Sequence, residues 1–189
     1  MQRISPKPDR AYPWYLRILF KRQERRLGQR IIPMQVWGRT PILLRRFLSL
    51  FRAFERRRSP IPAVLRALIT VRVSQINHCA FCVDFNSSRV LKHGDRAKQL
   101  TALPNFASSP LFSDSEKAAL AYAEAMTHSH EEVTESHFAS LKNHYDDDAI
   151  VELTGLIAFQ NMSSKFNAAL DLPAQGFCRL NLDEDRDLS

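Results

Sequence analysis

The sequence predicts an all-α fold, on three observations. From Ile42 onward the apolar residues Leu44, Phe47, Leu48, Phe51 and Phe54 recur three and four apart, which places them on one helical face, with Arg45, Arg46, Arg52 and Arg56 elsewhere on the surface. Capping signals precede the later runs: Ser113 to Glu116 has capping-box spacing, and Asp146-Asp147-Asp148 puts negative charge at the start of a long apolar stretch. No hairpin signal, sequence repeat or low-complexity segment interrupts the pattern. With 189 residues, 44% hydrophobic and 25% charged, the chain is globular in composition and has the size of one domain, or of one domain plus an arm.

Taken in order, residues 1–13 carry Pro6, Pro8 and Pro13 and read as irregular. Trp14 to Arg30 reads as a short basic helix and Pro33 to Pro41 as a loop. The helix from Ile42 is stopped by Ser59-Pro60-Ile61-Pro62, residues that can also start the next helix. Val64 to Ile76 admits two readings. Ile69-Thr70-Val71-Arg72-Val73 is β-branched and suits a strand, whereas Leu65, Leu68, Ile69, Val73 and Ile76 fit a helical stripe, and length favours the helix. Asn77 reads as a cap, and the next segment ends at Gly94, where a helix terminus is expected. Asp95 can cap a short helix to Leu103, and Pro104 to Pro110 reads as a loop. The run Ala118 to Met126 is a helix, Thr134 can cap another carrying Phe138 and Leu141, and Ala149 to Leu170 is a long final helix with Gly155 inside it for close packing. This gives seven or eight helices.

Charge is divided unevenly. Residues 1–60 hold 16 Lys/Arg against 3 Asp/Glu, a net of +13, and residues 61–189 hold 11 against 17, a net of −6. The first ten residues lack an apolar core, and the stretch Tyr15 to Phe20 is broken by Arg17 and far too short to span a bilayer. A cytoplasmic, reducing compartment is expected, and three Cys exclude a disulfide scaffold.

Cys79-Ala80-Phe81-Cys82 is the sharpest feature. Thiols three apart at a helix start lie one turn apart, where unsatisfied N–H groups and the helix dipole favour a thiolate. A thiolate attacks peroxides and disulfides, and a partner in reach can capture the sulfenic acid. A redox dithiol, half of a zinc site and two ordinary buried thiols are the readings in play. Zinc lacks a second C-x-x-C or H-x3-5-H, with Cys178 and His93 isolated. His128 and His130 read as surface loop.

The segment Leu65 to Asp84, with the pair at its end, closely resembles the core of the carboxymuconolactone decarboxylase / alkylhydroperoxidase D superfamily, and Ile150 to Thr154 and Asn161 to Asn167 resemble that family's last core helix. The resemblance spans about residues 40–172. It implies an AhpD-like helical bundle around a helical hairpin (residues 41–180); outside the resemblance, the sequence reads as a basic N-terminal helical arm (residues 1–40) and a flexible tail (residues 181–189). The resemblance further implies trimers or hexamers, no cofactor and no metal, and thiol-dependent reduction of a hydroperoxide with an external dithiol as reductant. Cys82 matches the attacking thiol and Cys79 the resolving one. The family's relay Glu and His fall at Ala67 and Asn86, and a further His falls at Phe81, so all three acid–base groups are absent. Such relays typically supply ~10²–10⁴-fold. Asn86 can still hydrogen-bond a thiolate or a peroxide oxygen.

Other groups lie near the pair. His78 reads as a neutral-pH acid–base group or as a solvated loop residue. Asp84 reads as a charge near the helix start, or as a relay. Gln75 reaches Cys79 if the helix continues, and otherwise pairs with backbone. Glu152 reads as an ion-pair partner. A catalytically quiet redox sensor or binding protein, and a non-redox decarboxylase-type enzyme using Arg72 or Arg89 to hold a carboxylate, are the alternatives. For the arm, packing on the acidic part of its own or a neighbouring subunit is favoured by charge complementarity, ahead of an anionic membrane surface or nucleic acid, for which no motif is present.

Overall fold

The computed structural model describes residues 2–178. Among them are nine α-helices, two single turns of 3-10 helix and no strand. The tail expected at residues 181–189 lies outside the described residues.

Helix α1 (Trp14–Leu27) starts after Pro13 and ends at Gly28, whose φ of +75° lets its N–H return to the Glu24 carbonyl. Helix α2 (Ile32–Trp37) occupies the segment expected to be a loop. Pro33 does not break this helix because it sits in the first turn, where no intrahelical N–H is needed, and the Gly38 N–H closes it on the Met34 carbonyl. Helix α3 (Pro41–Phe54) likewise begins with a proline.

Helix α4 (Ala63–Ile76) settles the ambiguous segment as helix, β-branched run included. Leu65 to Val71, Val73 and Ser74 are all buried, so nearly every face of α4 touches protein. It packs against α5 (Ala80–Leu91), α7 (Asp114–Ala125) and α9 (Asp147–Ala169), with α4 and α5 forming a hairpin through Asn77–Cys79. Helix α6 (Ala97–Ala102) follows Arg96 rather than the expected Asp95 cap. The Ser113–Glu116 capping box starts α7, Thr134 caps α8 (Glu135–Lys142) with His137 reciprocating, and the Asp146 carboxylate accepts the Ala149 N–H at 2.8 Å to start α9.

Gly155, mid-α9, faces Phe54 of α3; a Cβ there would stand 3.2 Å from the ring. No helix of the described residues is long and apolar enough to cross a membrane.

Two apolar clusters result. One fills the space around α4, α7 and α9, with Leu68, Ile69, Leu120, Leu153 and Ile157. The other contains Tyr12, Leu16, Phe20, Ile31, Met34, Trp37 and Leu44 together with Cys79, Phe81 and Cys82. The N-terminal 40 residues therefore share a core with the Cys pair. Their contact with the rest of the chain combines this apolar core with hydrogen bonds to the C-terminal part: Arg3 to the Leu170 and Ala169 carbonyls, Trp37 to Asn167, and Gln29, Arg30 and Ile32 with Gln175. Two ion pairs of that segment, Arg30 with Asp9 and with Glu24, lie within it. Hydrophobic burial contributes to seating it.

Candidate active site

The turn between α4 and α5 builds the site. Asn77 caps α4, and its amide donates to Asn161 Oδ1 at 2.8 Å and Ser164 Oγ at 2.9 Å, fixing the turn to α9. His78 then takes a left-handed conformation, φ +52°, and is exposed. Cys79 follows as the N-cap of α5, its sulfur accepting the Cys82 N–H at 3.2 Å. Cys79 and Cys82 are joined as a disulfide with Cα atoms 5.2 Å apart, and their residues are only 1% and 3% exposed.

One side of Cys82 opens onto a cavity of about 130 Å³. Its walls are largely aromatic: Trp37, Phe47, Phe51, Phe81, Phe85 and Phe159, with Trp37 stacked on Phe166 at 3.8 Å and on Phe47 at 4.7 Å. Gln23, Asn86, Gln160, Ser163 and Asn167 supply the polar lining, and Cys79 is not part of the wall. Among the described residues, no Asp, Glu, His, Lys or Arg lines this cavity. Ala67 is fully buried in α4, and Phe81 stacks on Phe85 at 5.6 Å, so neither place holds an acid or base.

The residues singled out in the sequence divide by position. Asn86 lines the cavity, its Oδ1 accepting from Arg89 at 3.2 Å. Arg89 also pairs with Glu55 and lies 5.5 Å from the Phe51 ring centroid. Gln75 does not continue toward Cys79, because α4 ends at Ile76, and its Oε1 instead accepts from Arg72 at 3.2 Å. Arg72 is in turn paired with Glu124 at 2.5 Å, so both arginines considered for carboxylate binding already hold a glutamate. Glu152 binds Arg56 and Ser59. His128, His130 and Glu131 bring ligand atoms within 4.8 Å of one another on the turn after α7, with His130 and Glu131 exposed.

Asp84 is engaged by the C-terminal segment. Its two oxygens accept the backbone N–H groups of Gln175 (2.8 Å) and Cys178 (2.7 Å), pinning a C-terminal strap, residues 172–178, across the start of α5. Phe177 in that strap meets Phe81 and Phe85 edge-on. Burial pushes the Cys178 thiol up from its ordinary value, and the neighbouring Asp84 charge adds to this.

Asn167 on α9 is a site residue that the sequence alone does not single out. It donates from Nδ2 to Cys82 Sγ at 3.2 Å, and its Oδ1 accepts the Trp37 indole N–H at 3.1 Å. Nothing local marks it. The signal is only that it lies in the segment resembling the family's last core helix, 85 residues from Cys82.

Comparison with known proteins agrees with this architecture. The model of the "Carboxymuconolactone decarboxylase family" matches residues 43–125. The uncharacterized protein YnjA of Escherichia coli (strain K12) is 41% identical over 157 residues, covering 82% of this chain and 86% of that protein. Among solved structures, the debrominase Bmp8 superposes with a TM-score of 0.79 at 25% identity over 92% of each chain, and a cysteine-to-alanine variant of it has been solved with 2,3,4-tribromopyrrole. An uncharacterized peroxidase-related protein from Ralstonia eutropha JMP134, described as an alkylhydroperoxidase AhpD core, shares the fold at a TM-score of 0.82 and 18% identity, over 93% of this chain and 94% of that one. The match of the family model, together with a relative 41% identical over most of both chains, establishes that the chain belongs to the carboxymuconolactone decarboxylase family.

Proposed function

We propose that this protein is a thiol-dependent oxidoreductase that reduces a small apolar hydroperoxide through the Cys79–Cys82 dithiol. The observation that carries the reading is the asymmetry of the pair: Cys82 lines the aromatic cavity and Cys79 stands behind it, within disulfide reach. The Cys82 thiolate attacks the peroxide ROOH. The S–O bond forms, the O–O bond breaks, and RO⁻ leaves to take a proton from water. The Cys79 thiol then displaces hydroxide from the Cys82 sulfenic acid, releasing water and closing the disulfide. An external dithiol reduces that disulfide by exchange and is itself oxidised.

The cavity sets the substrate size. A dry cavity of about 150 Å³ accommodates benzene, so about 130 Å³ suits one ring or a short branched chain. Asn86, with its oxygen engaged by Arg89, has Nδ2 as the donor for a substrate oxygen. With no titratable wall group besides the thiol, turnover is slower than in relay-bearing relatives by up to ~10²–10⁴-fold. The reaction belongs in a reducing, cytoplasmic compartment, carried out by a homo-oligomer.

The test is to treat reduced protein with an organic hydroperoxide and follow thiol loss by mass spectrometry. Cys79→Ser traps the sulfenic acid on Cys82, and Cys82→Ser abolishes it; the opposite pattern would reverse the two roles. Absence of any oxidation in the wild type would sink the redox reading.

A second reading is favoured by the resemblance to the debrominase and by a ring-sized cavity free of acid–base groups: reductive dehalogenation. There two thiols and a bromoarene give a disulfide, the arene and HBr. Release of bromide in step with disulfide formation distinguishes it.

A further inference from the structure

The Trp37–Asn167–Cys82 chain of hydrogen bonds has a direction. An Asn amide has an oxygen that accepts and a nitrogen that donates, and which faces which neighbour is often open. Here the neighbour decides it. The Trp37 indole N–H can only donate, so the Asn167 oxygen must face it at 3.1 Å. The Asn167 N–H group is thereby turned to the Cys82 sulfur at 3.2 Å. All three residues are deeply buried, with Asn167 3% and Trp37 4% exposed.

Burial beside aromatic rings disfavours a thiolate and by itself makes a thiol inert. A donor aimed at the sulfur acts the other way, and it acts most strongly where water is excluded. The Cys79 sulfur receives only the local backbone N–H that its position at the helix start provides. Cys82 receives one from α9, across the fold. We infer that Asn167 is a fixed hydrogen-bond donor that holds Cys82 as the thiolate in the reduced protein, and that Trp37 is the positioning residue that locks the amide in its donating orientation. This rests on the reading of the pair as a redox dithiol. It assigns a source of thiol activation to a site from which the family's acid–base groups are missing.

The experiment measures ionisation of Cys82, not turnover. In a Cys79→Ser/Cys178→Ser background Cys82 is the only thiol of the chain, and the serine hydroxyl that replaces the first thiol preserves a helix cap. Thiolate ultraviolet absorbance is followed from about pH 4 to pH 10, spanning the ordinary thiol range. Asn167→Leu is expected to raise the midpoint by about one unit or more, a roughly ten-fold loss of thiolate at neutral pH. Trp37→Phe retains an aromatic ring between Phe47 and Phe166 and removes only the indole donor. It is expected to fall between the parent and Asn167→Leu, because the amide is then free to turn its oxygen to the sulfur.

A purely packing role for Trp37 would not move the Cys82 midpoint. Should Asn167→Leu misfold because it strands the indole N–H, the double variant Trp37→Phe/Asn167→Leu removes both partners and carries the test. Coincident midpoints in the parent, Trp37→Phe and the double variant overturn the inference. A shifted midpoint in a protein that reduces no hydroperoxide leaves the inference standing and removes the peroxidase reading. Peroxide turnover with an unshifted midpoint does the reverse.

Discussion

Replacing Asp84 by Ala deletes the carboxylate that holds the C-terminal strap, and the structure sets the size of the effect. Two backbone N–H groups, Gln175 at 2.8 Å and Cys178 at 2.7 Å, lose a charged acceptor. Such bonds contribute about 1.5–3 kcal/mol each when buried; Asp84 is partly exposed, so about 1 kcal/mol each is the appropriate figure. The Gln175 side chain keeps its own anchors, accepting from Ile32 N–H at 2.9 Å and donating to the Arg30 carbonyl at 2.7 Å. Only local opening is therefore affected, by about 2 kcal/mol, or roughly 30-fold. Amide hydrogen exchange at Gln175 and Cys178 reads this directly and is independent of thiol ionisation. Asp84→Asn, which retains one acceptor oxygen, is expected to lie between. Unchanged exchange at both amides in Asp84→Ala would refute the strap.

Two further perturbations follow from packing and burial. Gly155→Ala places a Cβ 3.2 Å from the Phe54 ring, which is itself held by Phe159 at 5.5 Å, so crowding of about 1–3 kcal/mol outweighs the helix-propensity gain of about 1 kcal/mol. A lower denaturant midpoint is expected, and a higher one would show that Phe54 gives way. Burial raises the folded-state pKa of Tyr12 and Tyr145 above the ordinary value of 10.0. Between the ordinary and the raised value the unfolded chain has lost protons that the folded one keeps, so stability is full below about pH 10 and falls as pH rises further. Unfolding midpoints measured across that range are expected to decline, less steeply in Tyr145→Phe than in the wild type.

Elements whose determinants are local can be read from the sequence. The Ser113–Glu116 box stands where its spacing puts it, Thr134 caps the helix expected after it, and the acidic run at Asp146 opens the long final helix, each through contacts three residues apart. The Cys pair is legible for the same reason. Helix α2 escapes a sequence reading because Pro33 acts as a starter only once Gly38 supplies the other end within a single turn and a half. Helix α4 is ambiguous because a helix buried on almost every side has no polar face to reveal its period. The site's far wall is invisible for a different reason. Trp37 and Asn167 lie 130 residues apart, and only the packing of α2 on α9 brings them together. The basic composition of the first 40 residues draws attention to charge, whereas their contribution to the site is the largely apolar wall of Gln23, Ile31, Pro33, Met34 and Trp37.

The strap has a consequence for the order in which the molecule is completed. Its anchor, Asp84, and the residue it grips, Cys178, are 94 positions apart. On a ribosome the dithiol emerges well before the segment that shields its aromatic wall. For the whole interval in which α6 to α9 are being made, both sulfurs lack the cover that α9 and the strap later provide. The pair is enclosed only once α9 and the strap have packed against α5.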